Sequence, residues 1–148
     1  MAVETLSDTP VARVVRGRLT VPTRGPGFTD ITRDVRSWLH EIGAGAGLLT
    51  AFVRHTTASL TIQENADDDV QADLLDSLAT LAPPNAGYRH NDEGADDMPG
   101  HIKGMLCDVS LAIPCAEGGM SLGTWQGIYL IEHRARGRAR EVELAFVG

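Results

Sequence analysis

From Val14 to Val21 apolar and polar positions alternate, with Val15, Gly17, Leu19 and Val21 on one side and Val14, Arg16, Arg18 and Thr20 on the other. That period of two predicts a strand over Val11–Val21 with one wet face, broken by the sequence from Pro22 to Gly27. The period then changes. Ile31, Val35, Trp38, Leu39 and Ile42 form a single stripe at helical spacing, capped by Thr29 or Asp30 and stopped by Gly43. Leu48–Arg54 reads as a largely buried strand and Ser59–Ile62 as another. Val70, Leu74, Leu78 and Leu81 mark a second helix, with Asn65 as a cap and Asp67, Asp68 and Asp69 in the first turn, at the positive end of the helix dipole.

Pro83 and Pro84 end that helix, and a long loop is expected from Asn85 to His101. Beyond it Met105, Cys107, Val109, Leu111 and Ile113 alternate as a strand. Glu117-Gly118-Gly119 supplies a turn and Met120–Leu122 begins a return. Trp125–Glu132 and Glu141–Val147 are two further strands, joined by an arginine-rich turn around Gly137. The connections are mostly too short for strand–helix–strand crossovers, so the pattern predicts an α+β fold with a largely antiparallel sheet and two main helices on one face. Residues 1–10 read as a loose N-terminal lead to a single domain over 11–148.

Composition narrows the function without naming it. The chain has 148 residues, 43% of them apolar, enough for one buried core. A formal charge of −7 with few basic clusters argues against nucleic acid or an anionic membrane as partner. Arg134, Arg136, Arg138 and Arg140 form the only dense basic run, and their alternation reads as the solvent face and turn of a hairpin. No signal-like leader or membrane-length apolar run is present, so a soluble, cytoplasmic protein is expected. Cys107 and Cys115, placed on one strand, would stand roughly 26 Å apart, beyond disulfide reach, as reduced and buried packing residues.

Three polar groups interrupt the patterning where loops or strand ends are expected. His90-Asn91-Asp92-Glu93-Gly94-Ala95-Asp96-Asp97-Met98-Pro99-Gly100-His101 packs two imidazoles and four carboxylates together. These are ligands for zinc and similar metals, and acids or bases near neutral pH. Pro99 would hold Asp97 and His101 in a fixed relation, and Lys103 would share a strand face with His101, either binding phosphate or ending the strand in solvent. Arg54-His55-Thr56-Thr57-Ala58-Ser59 offers hydroxyls beside an imidazole, able to hold phosphate or water, although threonines are also ordinary strand residues. In Ser121-Leu122-Gly123-Thr124-Trp125-Gln126-Gly127, two glycines flank Trp125, whose ring either stacks on a flat heterocycle or, the favoured reading, fills the core. No phosphate loop, dinucleotide fingerprint, serine nucleophile elbow or Cys-x-x-Cys pair occurs.

In order and spacing, five pieces resemble the YjbQ-like family, often labelled secondary thiamine-phosphate synthase. They are His55-Thr56-Thr57-Ala58-Ser59-Leu60, Glu64-Asn65-Ala66-Asp67, Tyr88-Arg89-His90-Asn91, Asp96-Asp97-Met98-Pro99-Gly100-His101-Ile102-Lys103 and Leu122-Gly123-Thr124-Trp125-Gln126-Gly127. The resemblance implies an α+β sandwich, a homotrimer, and a pocket near the subunit boundary whose histidines hold a divalent metal, zinc first, with magnesium the alternative for a diphosphate substrate. It makes His55, His90 and His101 the ligand candidates, with Asp97 as fourth group or orienting partner. It also makes His55, Thr57, Asp97 and Lys103 the catalytic candidates, and Arg54, Thr56, Glu64, Asn65, Thr124, Trp125 and Gln126 the substrate-binding ones. His133 fits the pattern loosely and His40 has no claim.

The implied reaction joins hydroxymethylpyrimidine diphosphate to thiazole phosphate with release of pyrophosphate. It needs cationic help for the leaving diphosphate and a surface for the pyrimidine. Two rival readings keep the same residues: a zinc-dependent hydrolase of a small phosphorylated or amide metabolite, and a non-catalytic metal- or metabolite-binding trimer.

Overall fold

The computed structural model describes residues 1–6, 8–117 and 119–148. Ser7 of the N-terminal lead and Gly118 of the expected Glu117–Gly119 turn lie outside them. Among the described residues, eight strands paired antiparallel and three helices make a single α+β domain. One sheet runs β1 (Val14–Pro22), β8 (Ala139–Val147), β3 (Gly47–Val53), β5 (Ser110–Ala116), β6 (Gly119–Met120). The other runs β2 (Gly27–Asp30), β7 (Gln126–Glu132), β4 (Ala58–Glu64). The inner faces meet in a core of Leu49, Ala51, Leu60, Leu130, Leu144 and Phe146 with their neighbours. Alternation along each strand sends these residues inward because successive side chains point to opposite faces.

Helix α1 (Thr32–Glu41) buries Val35 and Leu39 in that same core. The Asp30 carboxylate accepts from the Thr32 N–H at 2.8 Å, and Gly43, at φ +57°, lets the chain leave the helix. Helix α2 (Asp68–Leu81) is started by Asp67, whose side chain accepts from the Asp69 N–H, as the first-turn aspartates suggested. Asn65 is not the cap. Its amide donates to the carbonyls of Thr124 and Gln126, tying β4 to the loop before β7.

Other expectations are corrected as well. Asp97–Leu106 is a third helix, α3, so the expected loop ends in a helix and the strand begins only at Ser110. The alternation from Met105 was misleading, because Met98, Ile102, Met105 and Leu106 also fit helical spacing, and Pro99 sits in the first turn where its missing N–H costs nothing. Cys107 consequently ends α3, half-buried, while only Cys115 is a buried strand residue; both are free thiols. Leu48–Arg54 is also less buried than expected, with Leu48 and Phe52 on an exposed face.

The largest correction concerns the arginine run. β7 and β8 are no hairpin: β7 pairs with β2 and β4, β8 with β1 and β3, so residues 133–138 cross from one sheet to the other. Arg134 is 6% exposed and Arg140 2% exposed, both in buried ion pairs. Alternation aimed one arginine into the core beside Glu132 and another into the base of α3.

Candidate functional site

The first turn of α3 carries Asp97, 2% exposed. Its Oδ2 accepts a 2.7 Å hydrogen bond from His90 Nε2 and lies 3.2 Å from His101 Nε2, one helical turn on. Its Oδ1 accepts from Arg134 Nη1. Arg134 is locked in turn: its Nε donates to Asp96 Oδ2 at 2.9 Å and its Nη2 to the Glu93 carbonyl at 2.9 Å. Burial pushes the Asp97 carboxyl upward, but the His90 hydrogen bond and the charges of Arg134 and His101 outweigh it and hold the group below the ordinary range. Asp96 is lowered chiefly by the N–H of Ala135.

One ligand atom from each of His90, Asp97 and His101 lies within 4.8 Å of the others. Two imidazole nitrogens aimed at one buried carboxylate oxygen can be reconciled by N–H donors or by a cation in their place. Two histidines and a carboxylate are a donor set zinc accepts, with coordination positions left for water or substrate. Arg134 orients the carboxylate from behind, as outer partners of metal ligands do. The residues therefore fit a divalent ion.

Packing beneath α3 fixes the centre. A Cβ on Gly104 would stand 2.7 Å from the Thr56 carbonyl oxygen, and one on Gly100 would stand 3.1 Å from the Thr57 methyl, so the helix lies directly on the Thr56-Thr57 corner. Thr57 is buried and its Oγ1 accepts from Arg140 Nη2 at 3.2 Å, a structural engagement for a residue expected to be catalytic.

His133, 3% exposed, shares a 2.8 Å hydrogen bond with Ser59 Oγ. Burial first, and the Lys103 charge second, push its pKa from 6.5 down to about 4. The unfolded chain therefore takes up this proton before the folded one. The contribution is full above the unfolded value of 6.5 and is lost as pH falls toward 4, by about 2 kcal/mol between pH 7 and pH 5. Urea unfolding at the two pH values should show that loss in the wild type and a correspondingly flatter response in His133→Asn; equal slopes would refute it.

Not all the expected residues gather here. His55 is close enough to share cavity walls with His101, but its Nε2 accepts the Glu141 N–H at 2.8 Å and it stands outside the His90–Asp97–His101 cluster. Burial, then the Arg140 charge, lower its pKa, favouring the neutral ring. Arg54 is paired with Glu141 at 3.2 Å and Glu143 at 3.5 Å. Lys103 lies on α3 rather than a strand. Two residues along a helix is more than half a turn, so it does not share a face with His101; its charge acts on His133, and burial lowers its pKa.

Glu64, Asn65, Thr124, Trp125 and Gln126 lie at the far end of the β4–β7 ladder. The register runs from Ala58↔Glu132 to Glu64↔Gln126, six residues or about 20 Å along the strand. There Gln126 Oε1 accepts from the Gly123 N–H at 2.8 Å, and Trp125 is 64% exposed, not a core residue. Arg134, Asp96, Glu132 and Arg140, all built into the centre or its support, were missed. The one sequence signal of the two arginines was the run of four spaced by two in a chain otherwise poor in basic clusters; Asp96 stood in the acidic 90–101 stretch, and nothing marked Glu132.

Two cavities open on the His101 side of the centre, and another lies against His90. A polar one of about 320 Å³ is lined by Thr56, Asp97, His101, Arg134 and Arg138 among others, and a more apolar one of about 630 Å³ by Phe52, His55, His101, Met105 and Val109 among others. A two-sheet α+β scaffold presenting two histidines around a buried, arginine-backed aspartate at a cavity mouth defines the class. Residues 17–148 match the family described as UPF0047 protein YjbQ-like, and the chain belongs to that family. It is 46% identical over 125 residues to the UPF0047 protein sll1880 of Synechocystis, covering 84% of this chain and 85% of that one. It is 43% identical over 125 residues to the UPF0047 protein YjbQ of Salmonella typhimurium, covering 84% and 91%. Among solved structures, a hypothetical protein of Aeropyrum pernix superposes with a TM-score of 0.83 at 32% identity, over 90% of this chain and 98% of that one. A YbjQ-like protein of unknown function from Sulfolobus solfataricus shares the fold, with a TM-score of 0.85 at 24% identity over 92% and 98%. No helix among the described residues is long and apolar enough to cross a membrane.

Proposed function

We propose that the chain is a metal-dependent enzyme acting on phosphorylated small molecules, with a divalent ion, zinc first, held by His90, Asp97 and His101. The observation that carries this reading is the convergence of two imidazole Nε2 atoms on one oxygen of a buried carboxylate at the mouth of an arginine-lined cavity. When bound, the ion supplies positive charge for an anionic group. The protein groups do the positioning: Arg134 fixes Asp97, and His55, its Nε2 committed to the Glu141 N–H, offers Nδ1–H as a donor from the cavity wall.

The resemblance in the sequence directs this chemistry toward thiamine-phosphate synthesis. There a new bond to the pyrimidine methylene forms as its C–O bond to the diphosphate breaks, the electron pair leaving with pyrophosphate. Both substrates are anions and suit a cationic pocket. The reading includes a homotrimer: Leu48, Phe52 and Trp125 are apolar and exposed, and the Thr124–Gln126 loop stands at the far end of the β4–β7 ladder, where it would serve the centre of a neighbouring copy.

Elemental analysis of the purified protein beside His90→Ala and His101→Ala tests the centre; the expected result is about one ion per chain, lost in both variants. Incubation with hydroxymethylpyrimidine diphosphate and thiazole phosphate, together and singly, tests the reaction. Product only when both are present supports synthesis, whereas phosphate released from one alone supports hydrolysis. A protein that takes up no ion even on addition would overturn the metal reading.

A further inference from the structure

The polar cavity beside Asp97 is walled by four arginines, Arg54, Arg134, Arg138 and Arg140. Three are spent on carboxylates: Arg54 on Glu141 and Glu143, Arg134 on Asp96 and Asp97, Arg140 on Glu132. Arg138 alone among them makes no ion pair with any described residue, although Glu93 lines this same cavity and, with Asp96, the adjoining pocket that Arg138 also borders. Its backbone is held firmly. Its N–H donates to Thr23 Oγ1 at 2.9 Å, its carbonyl accepts from the Thr23 N–H at 2.9 Å, and that threonine hydroxyl donates onward to Glu132 at 2.7 Å. The preceding Gly137 permits this clamp, since a Cβ there would stand 2.0 Å from the Thr23 carbonyl oxygen. Arg138 is exposed, its guanidinium unpaired and its backbone fixed at the wall of the cavity that Asp97 and His101 also line, and its forked donors match the oxygens of a phosphate.

We propose that Arg138 is the anion-binding, specificity-determining residue of the site, taking a phosphate group of the substrate against the His90–Asp97–His101 centre. The inference deepens the metal-dependent reading above and rests on it for the role of the bound anion in turnover, but not for the binding itself. It gives Arg138 the phosphate contact for which the sequence offered Lys103 and the resemblance offered Arg54 as a substrate-binding residue; Arg54 is neutralised by glutamates, and the Lys103 charge acts on His133.

The test is calorimetric titration of inorganic phosphate into the full chain, with and without prior zinc loading, for the wild type, Arg138→Gln, Arg138→Lys and the control Arg36→Gln. Arg138 uses only backbone atoms in its observed hydrogen bonds, so the variants should melt with the wild type. The expected result is phosphate binding weakened at least about tenfold in Arg138→Gln, partly restored in Arg138→Lys and unchanged in Arg36→Gln, with zinc content equal throughout. Binding that is lost only in Arg138→Gln from a protein that holds no zinc would support Arg138 and sink the metal reading. Undetectable phosphate binding by the wild type, or equal binding by wild type and Arg138→Gln, would overturn the inference even if the zinc were present.

Discussion

Glu132→Gln is expected to lower the unfolding free energy by about 3–5 kcal/mol, because it leaves the Arg140 charge buried without its counter-ion. Glu132 is 1% exposed and its two oxygens accept from four donors: the Arg140 Nε and Nη2, Thr23 Oγ1 and the Arg134 N–H. Burial would raise its pKa, yet Arg140, Thr23 and the Arg134 N–H together hold it below the ordinary value. Glutamine keeps the shape, loses the charge and turns one acceptor into a donor facing donors. Urea unfolding at neutral pH should show a lower midpoint at an unchanged slope. Replacing both partners, Glu132→Leu with Arg140→Met, should recover most of the loss, since a well-packed apolar pair avoids desolvating two charges. A single-variant loss below about 1 kcal/mol, the scale of an exposed pair, would show that water reaches the pair.

Asp97→Asn is expected to have the largest effect on the centre itself. The substitution preserves volume but removes the charge that His90, His101 and Arg134 converge upon. Zinc affinity, read by competition with a chromogenic chelator, should fall by more than the 10–100-fold typical of losing an outer-shell partner, whereas Arg134→Gln should fall by about that 10–100-fold. Arg134 keeps Asp96 in the Asp97 variant, so the fold should survive and the two readouts separate. If Asp97→Asn retains zinc as the wild type does, the carboxylate is a buried anchor for Arg134 and the histidines, and the ion lies elsewhere.

The two charge systems explain one another. Glu132 and Arg140 join the end of β7 in one sheet to the start of β8 in the other, and Arg140 also reaches Thr57, on which Gly100 of α3 rests. Arg134, two residues beyond Glu132, reaches Asp97 in the first turn of that helix. Weakening the inter-sheet pair should therefore loosen the platform beneath the His90–Asp97–His101 cluster.

Local pattern was enough for most of the strands, for helices α1 and α2, for the antiparallel α+β class and for the gathering of imidazoles and carboxylates in residues 90–101, but it missed β2, whose Gly27–Asp30 read as a break and a helix cap. Each rests on local information: side-chain period, capping aspartates, prolines and glycines act within a few residues of themselves. Tertiary structure alone decided the rest. The period of two after Met105 was compatible with a strand until Gly100 and Gly104 met Thr56 and Thr57 and fixed a helix there. The alternating arginines read equally well as a wet hairpin face, and only the crossing between sheets placed Arg134 and Arg140 beside buried carboxylates distant in sequence. His55 shares a cavity with His101 yet stands outside the cluster, its Nε2 taken by the backbone N–H of Glu141, a partner that no pattern announces. Burial and partnership of charged groups are long-range properties, set by which surfaces meet, so the chain's pattern shows where charges stand but not which of them are already satisfied.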